Sequence, residues 1–582
     1  MHHMQLSFQK GSRSLILGGL LLVMMAIFVA RLFYLQIIKH DDYVAQAAAE
    51  QVKPLTIPAK RGLIYAMDGE QPVQLVMNQT VYTMFVDPQT VTNPTKVMDV
   101  VRRVAGGNLR PNIDKLIAKK DTRYQIIGTK LTRQQAELIK KEELKGVGFQ
   151  EMSQRVYPEG GLAAQTLGFV NAEGNGQYGI EEALNDRLVG HDGLLKSVTD
   201  ISGVPLTIGN QNINKPAKNG ENIALTIDRN VQAYAEKALA AGLQRSHATH
   251  GSVIVMDPQS GKVMAMANLP SYNPAEYTKV EDASAFNNPV ITKPYEPGSD
   301  IKTFTVATGL DRGAIQPDST YVNTDSIKVE DRTITNATKG QTGTITMQTA
   351  LNYSLNTGMV TVAQRLGDGK NITLDARRTI YDYFHNRFAF GQKTGIELAG
   401  EQPGIIISPD DQEGNAVRYS NMTFGQGMDL TMIQVASAFG ALINGGTYYS
   451  PTVVAGTVDT NGTLKPASPK PSRSGVISAE SSAKLHEMVH TARATFYAKN
   501  DKPGYDVGGK TGTSQTIENG KYVDNQTIGT YLGYGGDSAP RYVIMVEVSG
   551  KGLNLQGNKD AMPIFTDISN WMIDYLKLQP RG

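Results

Sequence analysis

Apolar residues fall along this chain in three patterns. The first is continuous: Leu15 to Ala30 carries no charge, and Lys10 and Arg13 precede it. Arg31 interrupts the run, which Leu32-Phe33-Tyr34-Leu35 and Ile37-Ile38 extend. A membrane span needs about 20 apolar residues, and an arginine near one end can reach the headgroups. This predicts a single-pass anchor over residues 14–38. The basic flank keeps the N-terminal tail, residues 1–13, cytoplasmic and puts everything after about Lys39 outside. A cleaved signal peptide fits less well, because cleavage after Ala30 sets Phe28 where a small residue is wanted.

The second pattern, to about residue 220, is mixed. Short strand-like runs (Leu55-Thr56-Ile57, Val81 to Val86) alternate with charged helical stretches such as Gln134 to Lys145, with Gly, Pro and Asn between them. Lys215-Pro216-Ala217-Lys218-Asn219-Gly220 reads as a boundary, giving an α+β domain over 39–220 and a second domain over 221–582. In the second, Ile223 to Ile227 predicts a strand and Arg229 to Gln244 a helix. Gly251 to Asp257 and Lys262 to Ala267 form a hairpin pattern around Pro258-Gln259-Ser260-Gly261. Thr527 to Gly535 and Arg541 to Ser549 predict a strand pair, followed by a helix around Ile564 to Leu576. Strands at both ends with helices between predict a central antiparallel sheet flanked by helices, its first and last segments paired. Asp459-Thr460-Asn461-Gly462 suits a hairpin turn, and Lys465 to Arg473 is a loop rich in proline and serine.

Composition adds exclusions. A chain of 582 residues exceeds the roughly 250–300 that one core usually serves. A formal charge of +2 argues against a nucleic-acid partner. With no cysteine, neither a disulfide framework nor a thiolate nucleophile exists.

Candidate chemistry lies in three motifs taken in order: Ser299-Asp300-Ile301-Lys302, Ser354-Leu355-Asn356 and Lys510-Thr511-Gly512-Thr513. Each recurs elsewhere and is weak alone: Ser-x-x-Lys at Ser7 and Ser481, Ser-x-Asn at Ser271, Lys-Thr-Gly at Lys393. Context separates the copies. Glu296-Pro297-Gly298 before Ser299 predicts a sharp turn, and Ile301 to Leu310 a helix, so the hydroxyl stands at a helix N-terminus where a developing anion is favoured. Lys302, three residues on, shares its face. It can act as base only if neutral, which needs a pKa lowered by about 3 units, roughly 4 kcal/mol. Ser354 can relay a proton, and the Asn356 amide can fix a lysine or a carbonyl. Around Lys510, the glycines suit an edge strand read by a peptide, the hydroxyls suit a carboxylate, and the ammonium supplies positive potential. The Lys393 copy leads into Ile396-Glu397-Leu398 and reads as structural.

A rival pattern is His486-Glu487-Met488-Val489-His490, the His-Glu-x-x-His of zinc peptidases. Leu485, Met488, Val489 and Ala492 form the apolar stripe of a packed helix. No histidine follows His490, which leaves only a glutamate such as Glu518 or Glu547 as third ligand. We therefore expect no metal and no cofactor.

With the ordered triplet behind a membrane anchor, the chain resembles a class B penicillin-binding protein, a monofunctional peptidoglycan D,D-transpeptidase, over nearly its whole length. Arg61-Gly62-Leu63-Ile64-Tyr65, Arg155-Val156-Tyr157-Pro158 and Gly176 to Glu181 are similar to motifs of that family's N-terminal pedestal. Leu225 to Asp228, Met256 to Gly261 and Phe424-Gly425-Gln426-Gly427 are similar to marks of its transpeptidase domain. The resemblance implies that Ser299 attacks the penultimate D-Ala carbonyl of a D-Ala-D-Ala stem peptide with Lys302 as base. It also implies an oxyanion hole from the Ser299 and Thr513 backbone N–H groups, proton shuttling and orientation by Ser354 and Asn356, and a carboxylate held by Lys510, Thr511, Gly512 and Thr513. β-Lactams would be inhibitors, and a SEDS-family glycan polymerase and other division proteins partners. The layout around Phe424 to Gly427 leans to the division (FtsI) type over the elongation type. A D,D-carboxypeptidase or β-lactamase-like hydrolase would use the same triplet with water as acceptor.

Overall fold

A computed structural model describes residues 12–43, 52–198, 213–518 and 520–581. The chain forms two compact units, Met1–Lys60 with Gly190–Asn219, and Arg61–Val189 with Gly220–Gly582.

In the first unit, Ser12–Phe33 is an α-helix continued by a π-turn, Tyr34–Ile38, and Leu15, Leu22 and Phe28 are exposed along it. The stretch Arg13–Ile38 is long and apolar enough to cross a membrane. Most of the expected cytoplasmic tail, including Lys10 and the Ser7 motif, lies outside the described residues. The unit also holds a three-stranded antiparallel sheet of Val52–Ile57, Gly193–Val198 and Ile213–Lys215.

The second unit carries two larger sheets. In one, Ile64–Asp68 and Gln71–Val86 form a hairpin, and Gln71–Val86 also pairs with Gln125–Leu131 and Val147–Val156. Asn222–Asp228 is a strand, as its apolar run predicts, and it joins this sheet, parallel to Ile64–Asp68. The hairpin Val454–Val458 and Leu464–Pro466 extends it, turning at Asp459 to Thr463. The proline- and serine-rich stretch is therefore not all loop: Leu464–Pro466 and Pro471–Ser474 are short strands. The charged helix is shorter than its sequence suggests. It runs Arg133–Lys140 behind a Thr132/Gln135 capping box, then turns through Glu143 (φ 48°) and Gly146 (φ 84°) into Val147–Val156.

Residues from three separated motifs meet in this region. Arg61 Nε donates to Glu181 Oε2 and Arg155 Nε to Glu181 Oε1, both at 2.8 Å. All three side chains are buried; Asn185 Oδ1 accepts from Arg61 Nη1 and Asn78 Oδ1 from Arg155 Nη1, while Arg155 Nη2 has no hydrogen-bond partner among the described residues. A buried carboxylate paired with two cations and capped by amides is the arrangement that offsets desolvation.

The other sheet is the expected central antiparallel one; it has five strands, ordered Val263–Leu269, His250–Met256, Pro540–Ser549, Lys521–Gly536 and Asp506–Glu518. Its first and last segments pair, His250 opposite Ser549 through Met256 opposite Val543. Residues alternate between two cores, as strand geometry requires. Val253, Val255, Ile544 and Val546 pack with the helices Arg229–Ser246 and Met562–Tyr575. Ile254, Met256, Val543 and Met545 pack with Lys302–Asp311 and the wholly buried Met432–Ile443. One edge of the sheet, Asp506–Glu518, is thereby set beside the N-terminus of Lys302–Asp311.

Candidate active site

The turn before Ser299 is made by glycine. Gly298 has φ 64° and its N–H donates to Gly425 O at 3.0 Å. A Cβ on Gly298 would lie 2.7 Å from Thr513 O, and one on Gly425 only 1.9 Å from Gly298 O. Three backbone segments thus meet at a point that no side chain could enter. Gly298–Ile301 is a 3₁₀ turn leading into the α-helix Lys302–Asp311. Side chains three apart eclipse in 3₁₀ geometry, which aligns Ser299 with Lys302.

Lys302 is 1 % exposed, and its Nζ reaches across to Ser354, 2.6 Å from the carbonyl O and 3.0 Å from Oγ. Lys510 Nζ donates to the same Oγ at 2.9 Å and to Thr511 O at 2.9 Å. Ser354 holds a left-handed backbone (φ 57°), fixed by Ser354 N to Leu351 O and Leu355 N to Ala350 O. Such strain in a non-glycine residue persists only where its surroundings over-determine it. Burial, reinforced by the neighbouring Lys510 charge, pulls Lys302 well below the ordinary lysine range. Burial also pulls Lys510 down, against an opposing pull from Asp300.

Ser299, Lys302, Ser354, Asn356, Lys510, Thr511 and Thr513 all line one cavity of about 600 Å³. Gly512 does not. A Cβ at Gly512 would lie 2.1 Å from Thr530 Oγ1 and 2.7 Å from Asp300 Oδ2. Asn356 opens the helix Asn356–Arg365, and its amide donates to Thr335 O at 2.9 Å, so in this state it braces the wall rather than a lysine. Thr513 Oγ1 accepts from Gly557 N at 3.2 Å.

The duplicate motifs sit elsewhere. Thr394 and Gly395 bond the Glu401 carboxylate, while Ile396 and Leu398 are buried, so the Lys393 copy builds a loop. Ser481 N takes the Ser478 cap and Lys484 pairs with Glu480. Ser271 Oγ bonds Gln165.

Four features of the site were not picked out from the sequence. Asp300 is buried beneath the Lys-Thr-Gly strand. Phe496 and Tyr497 wall the cavity from the end of the helix Ala479–Tyr497, Phe496 packing edge-on against Tyr353. Gln556 and Asn558 close it from the turn before the last helix. Finally, His486 and His490 both turn towards Asp506, at the root of that strand, at 2.8 and 3.2 Å, while Leu485, Met488, Val489 and Ala492 are buried. Among the described residues no group of three or more His, Asp or Glu is placed to hold a metal ion.

A buried amine whose pKa is drawn down, sharing the Ser354 hydroxyl with a second lysine and lining one cavity with a serine at a helix N-terminus, is equipped for serine acyl transfer. Comparison with known proteins agrees. Residues 251–570 match the penicillin binding protein transpeptidase domain and residues 56–225 the penicillin-binding protein dimerisation domain. The chain is 31 % identical to stage V sporulation protein D of Bacillus subtilis over 566 residues, covering 96 % of this chain and 85 % of that protein. It is 26 % identical to the peptidoglycan D,D-transpeptidase FtsI of Buchnera aphidicola, covering 98 % and 96 %. The crystal structure of penicillin binding protein 2X from Streptococcus thermophilus shares the fold, with a TM-score of 0.72 and 24 % identity over 90 % of this chain and 80 % of that one. On the strength of both domains and of relatives matched almost end to end, the chain belongs to the penicillin-binding protein family and carries its transpeptidase and dimerisation domains.

Proposed function

We propose that this protein cross-links peptidoglycan stem peptides by D,D-transpeptidation through an acyl-enzyme on Ser299. The observation that carries the reading is the convergence of Lys302 and Lys510 on Ser354 Oγ, at 3.0 and 2.9 Å, in the cavity that Ser299 also lines. Lys302, neutral because it is buried beside a second cation, takes the Ser299 proton as Oγ attacks the penultimate D-Ala carbonyl. The oxyanion forms against the Ser299 and Thr513 N–H groups, each worth a few kcal/mol. The terminal carboxylate lies along Lys510, Thr511 and Thr513. As the tetrahedral intermediate collapses, the peptide C–N bond breaks and the leaving D-Ala amine takes a proton delivered through Ser354. An amine from a second stem peptide then attacks the ester, transfers its proton along the same path and releases Ser299 with a new amide bond. Asn356 braces the wall on which Ser354 stands. A β-lactam occupies the D-Ala-D-Ala position and remains as a stable ester.

The N-terminal helix would anchor the protein by a single pass, tail cytoplasmic and both domains extracytoplasmic. There it would work beside a SEDS-family glycan polymerase and other division proteins in septal wall synthesis, the domain boundary falling near residue 220. Incubating the full-length protein with uncross-linked glycan strands tests the chemistry. Cross-linked dimers that appear only with an acceptor amine present support the reading; release of D-Ala to water at the same rate with and without acceptor assigns a carboxypeptidase instead.

A further inference from the structure

Asp300 is 0 % exposed, yet it lies between the nucleophile and the catalytic-site lysine in sequence and beneath the Lys-Thr-Gly strand in space. A carboxylate so placed needs a reason, since burying one without a cation is among the costliest substitutions a core can carry. Its Oδ2 accepts from Thr530 Oγ1 at 2.7 Å, and its Oδ1 has no hydrogen-bond partner. The carboxylate fills the space that the absent Gly512 side chain leaves. Residues two apart on a strand share a face, so Gly512 and Lys510 present the same side of Asp506–Glu518, and Asp300 and the Lys510 side chain lie under that side together.

Lys510 is 4 % exposed, and its hydrogen-bond partners, Ser354 Oγ, Thr511 O and Thr511 Oγ1, are all neutral. We infer that Asp300 is a positioning residue of the acylation reaction: it is the buried counter-charge that keeps Lys510 an ammonium and, through Lys510, keeps Lys302 neutral. The electrostatics run in the same direction. Burial raises the Asp300 carboxyl while Thr530 and Lys510 draw it back, burial lowers Lys510 while Asp300 draws it up, and Lys510 lowers Lys302. The other groups facing Asp300 are Tyr295 from the preceding loop, whose hydroxyl feels both Asp300 and Glu547, and Glu547, opposite Thr530 in the sheet. Neither supplies a cation, so Lys510 is the charge that Asp300 serves. The inference rests on the proposed role of Ser299 and Lys302.

The test is the pH profile of acylation by a fluorescent penicillin, measured on the full chain in detergent for wild type, Asp300→Asn and Thr530→Val. Asp300→Asn keeps the shape and removes the charge; Thr530→Val removes the hydrogen bond and keeps the charge. The inference predicts that the alkaline limb moves to lower pH by about one unit or more in Asp300→Asn. In Thr530→Val it should stay in place, whatever happens to the plateau. An unmoved limb in Asp300→Asn, or an equal movement in Thr530→Val, overturns it. If Asp300→Asn folds too poorly to assay, adding Lys510→Gln should recover thermal stability, because it removes the ammonium left uncompensated. A double variant no more stable than Asp300→Asn counts against the inference. Mapping the wild-type adduct separates the two claims. An adduct off Ser299 removes the mechanism and the inference together, whereas an adduct on Ser299 with an unmoved limb removes only the role of Asp300.

Discussion

Lys302 and Lys510, 208 residues apart in the chain, donate to one acceptor, Ser354 Oγ. Two ammoniums so close would repel strongly in a buried site, so the geometry favours one charged and one neutral amine. Burial and the Lys510 charge draw Lys302 down, while Asp300 draws Lys510 up, so in the proposed mechanism Lys302 is the amine that gives up its proton. On the proposed mechanism the base is therefore prepared before substrate arrives.

The two Lys-Thr-Gly copies should behave oppositely. Lys510→Ala removes both the carboxylate attraction and the field on Lys302, and charge-assisted bonds of this kind are worth about 1.5–3 kcal/mol each. Acylation by penicillin should slow about tenfold to a hundredfold. Lys393→Ala, in a loop tied to Glu401 through Thr394 and Gly395, should leave it nearly unchanged. Stopped-flow acylation rates of both variants check this.

Ser354→Ala removes the acceptor that both lysines share. Acylation should slow by at least about tenfold, as each lysine loses a partner worth roughly 1–3 kcal/mol. The fold should survive, because the bonds that hold the local backbone, Ser354 N to Leu351 O and Leu355 N to Ala350 O, do not use the side chain. A melting curve beside the rate measurement separates the two effects.

Much of this site was legible in the sequence because its parts are local. A glycine before Ser299, a lysine three residues on and a glycine-flanked Lys-Thr-Gly run each declare a turn, a helix start or an edge strand. The same holds for His250–Met256, Val263–Leu269 and Pro540–Ser549 of the central sheet, which are largely apolar runs between turn residues. What was not legible depends on residues distant in the chain. Nothing local says that Lys302 reaches Ser354, that Asp300 fills the space under Gly512, or that Asn222–Asp228 joins the sheet of the preceding region. The spacing of His486 and His490 shows that they share a helix face, but not that the face meets Asp506.

The Arg61, Arg155 and Glu181 cluster should dominate the stability of its region. Glu181→Ala leaves two buried guanidiniums without their carboxylate, a loss of about 3–5 kcal/mol for a broken buried pair. Thermal unfolding of the full chain in detergent should show a markedly lower transition, with penicillin acylation at low temperature largely kept, since none of the three lines the cavity.

The clamp on the Lys-Thr-Gly strand should respond to pH. The bond to Asp506 raises the His490 imidazole above its ordinary 6.5. Burial pushes Asp506 up, but His486, His490 and Arg581 together hold it far below its ordinary 3.8. A raised histidine stabilises fully below the unfolded value and loses its contribution as pH rises through the folded one; the lowered carboxylate loses its own as pH falls through its folded value. The contribution is therefore greatest between those two ordinary values. His490→Gln should lower the melting temperature more at about pH 6 than at about pH 9. An equal loss at both would mean that the pair acts only by packing.

The most direct test of the account is the position of the covalent adduct. Full-length protein is incubated with a penicillin, digested and mapped by mass spectrometry, alongside Ser299→Ala. One modified peptide is expected, with the penicilloyl ester on Ser299, and no labelling of a Ser299→Ala protein that melts like the wild type. An adduct on Ser354 or Ser481, or undiminished labelling of Ser299→Ala, would contradict it.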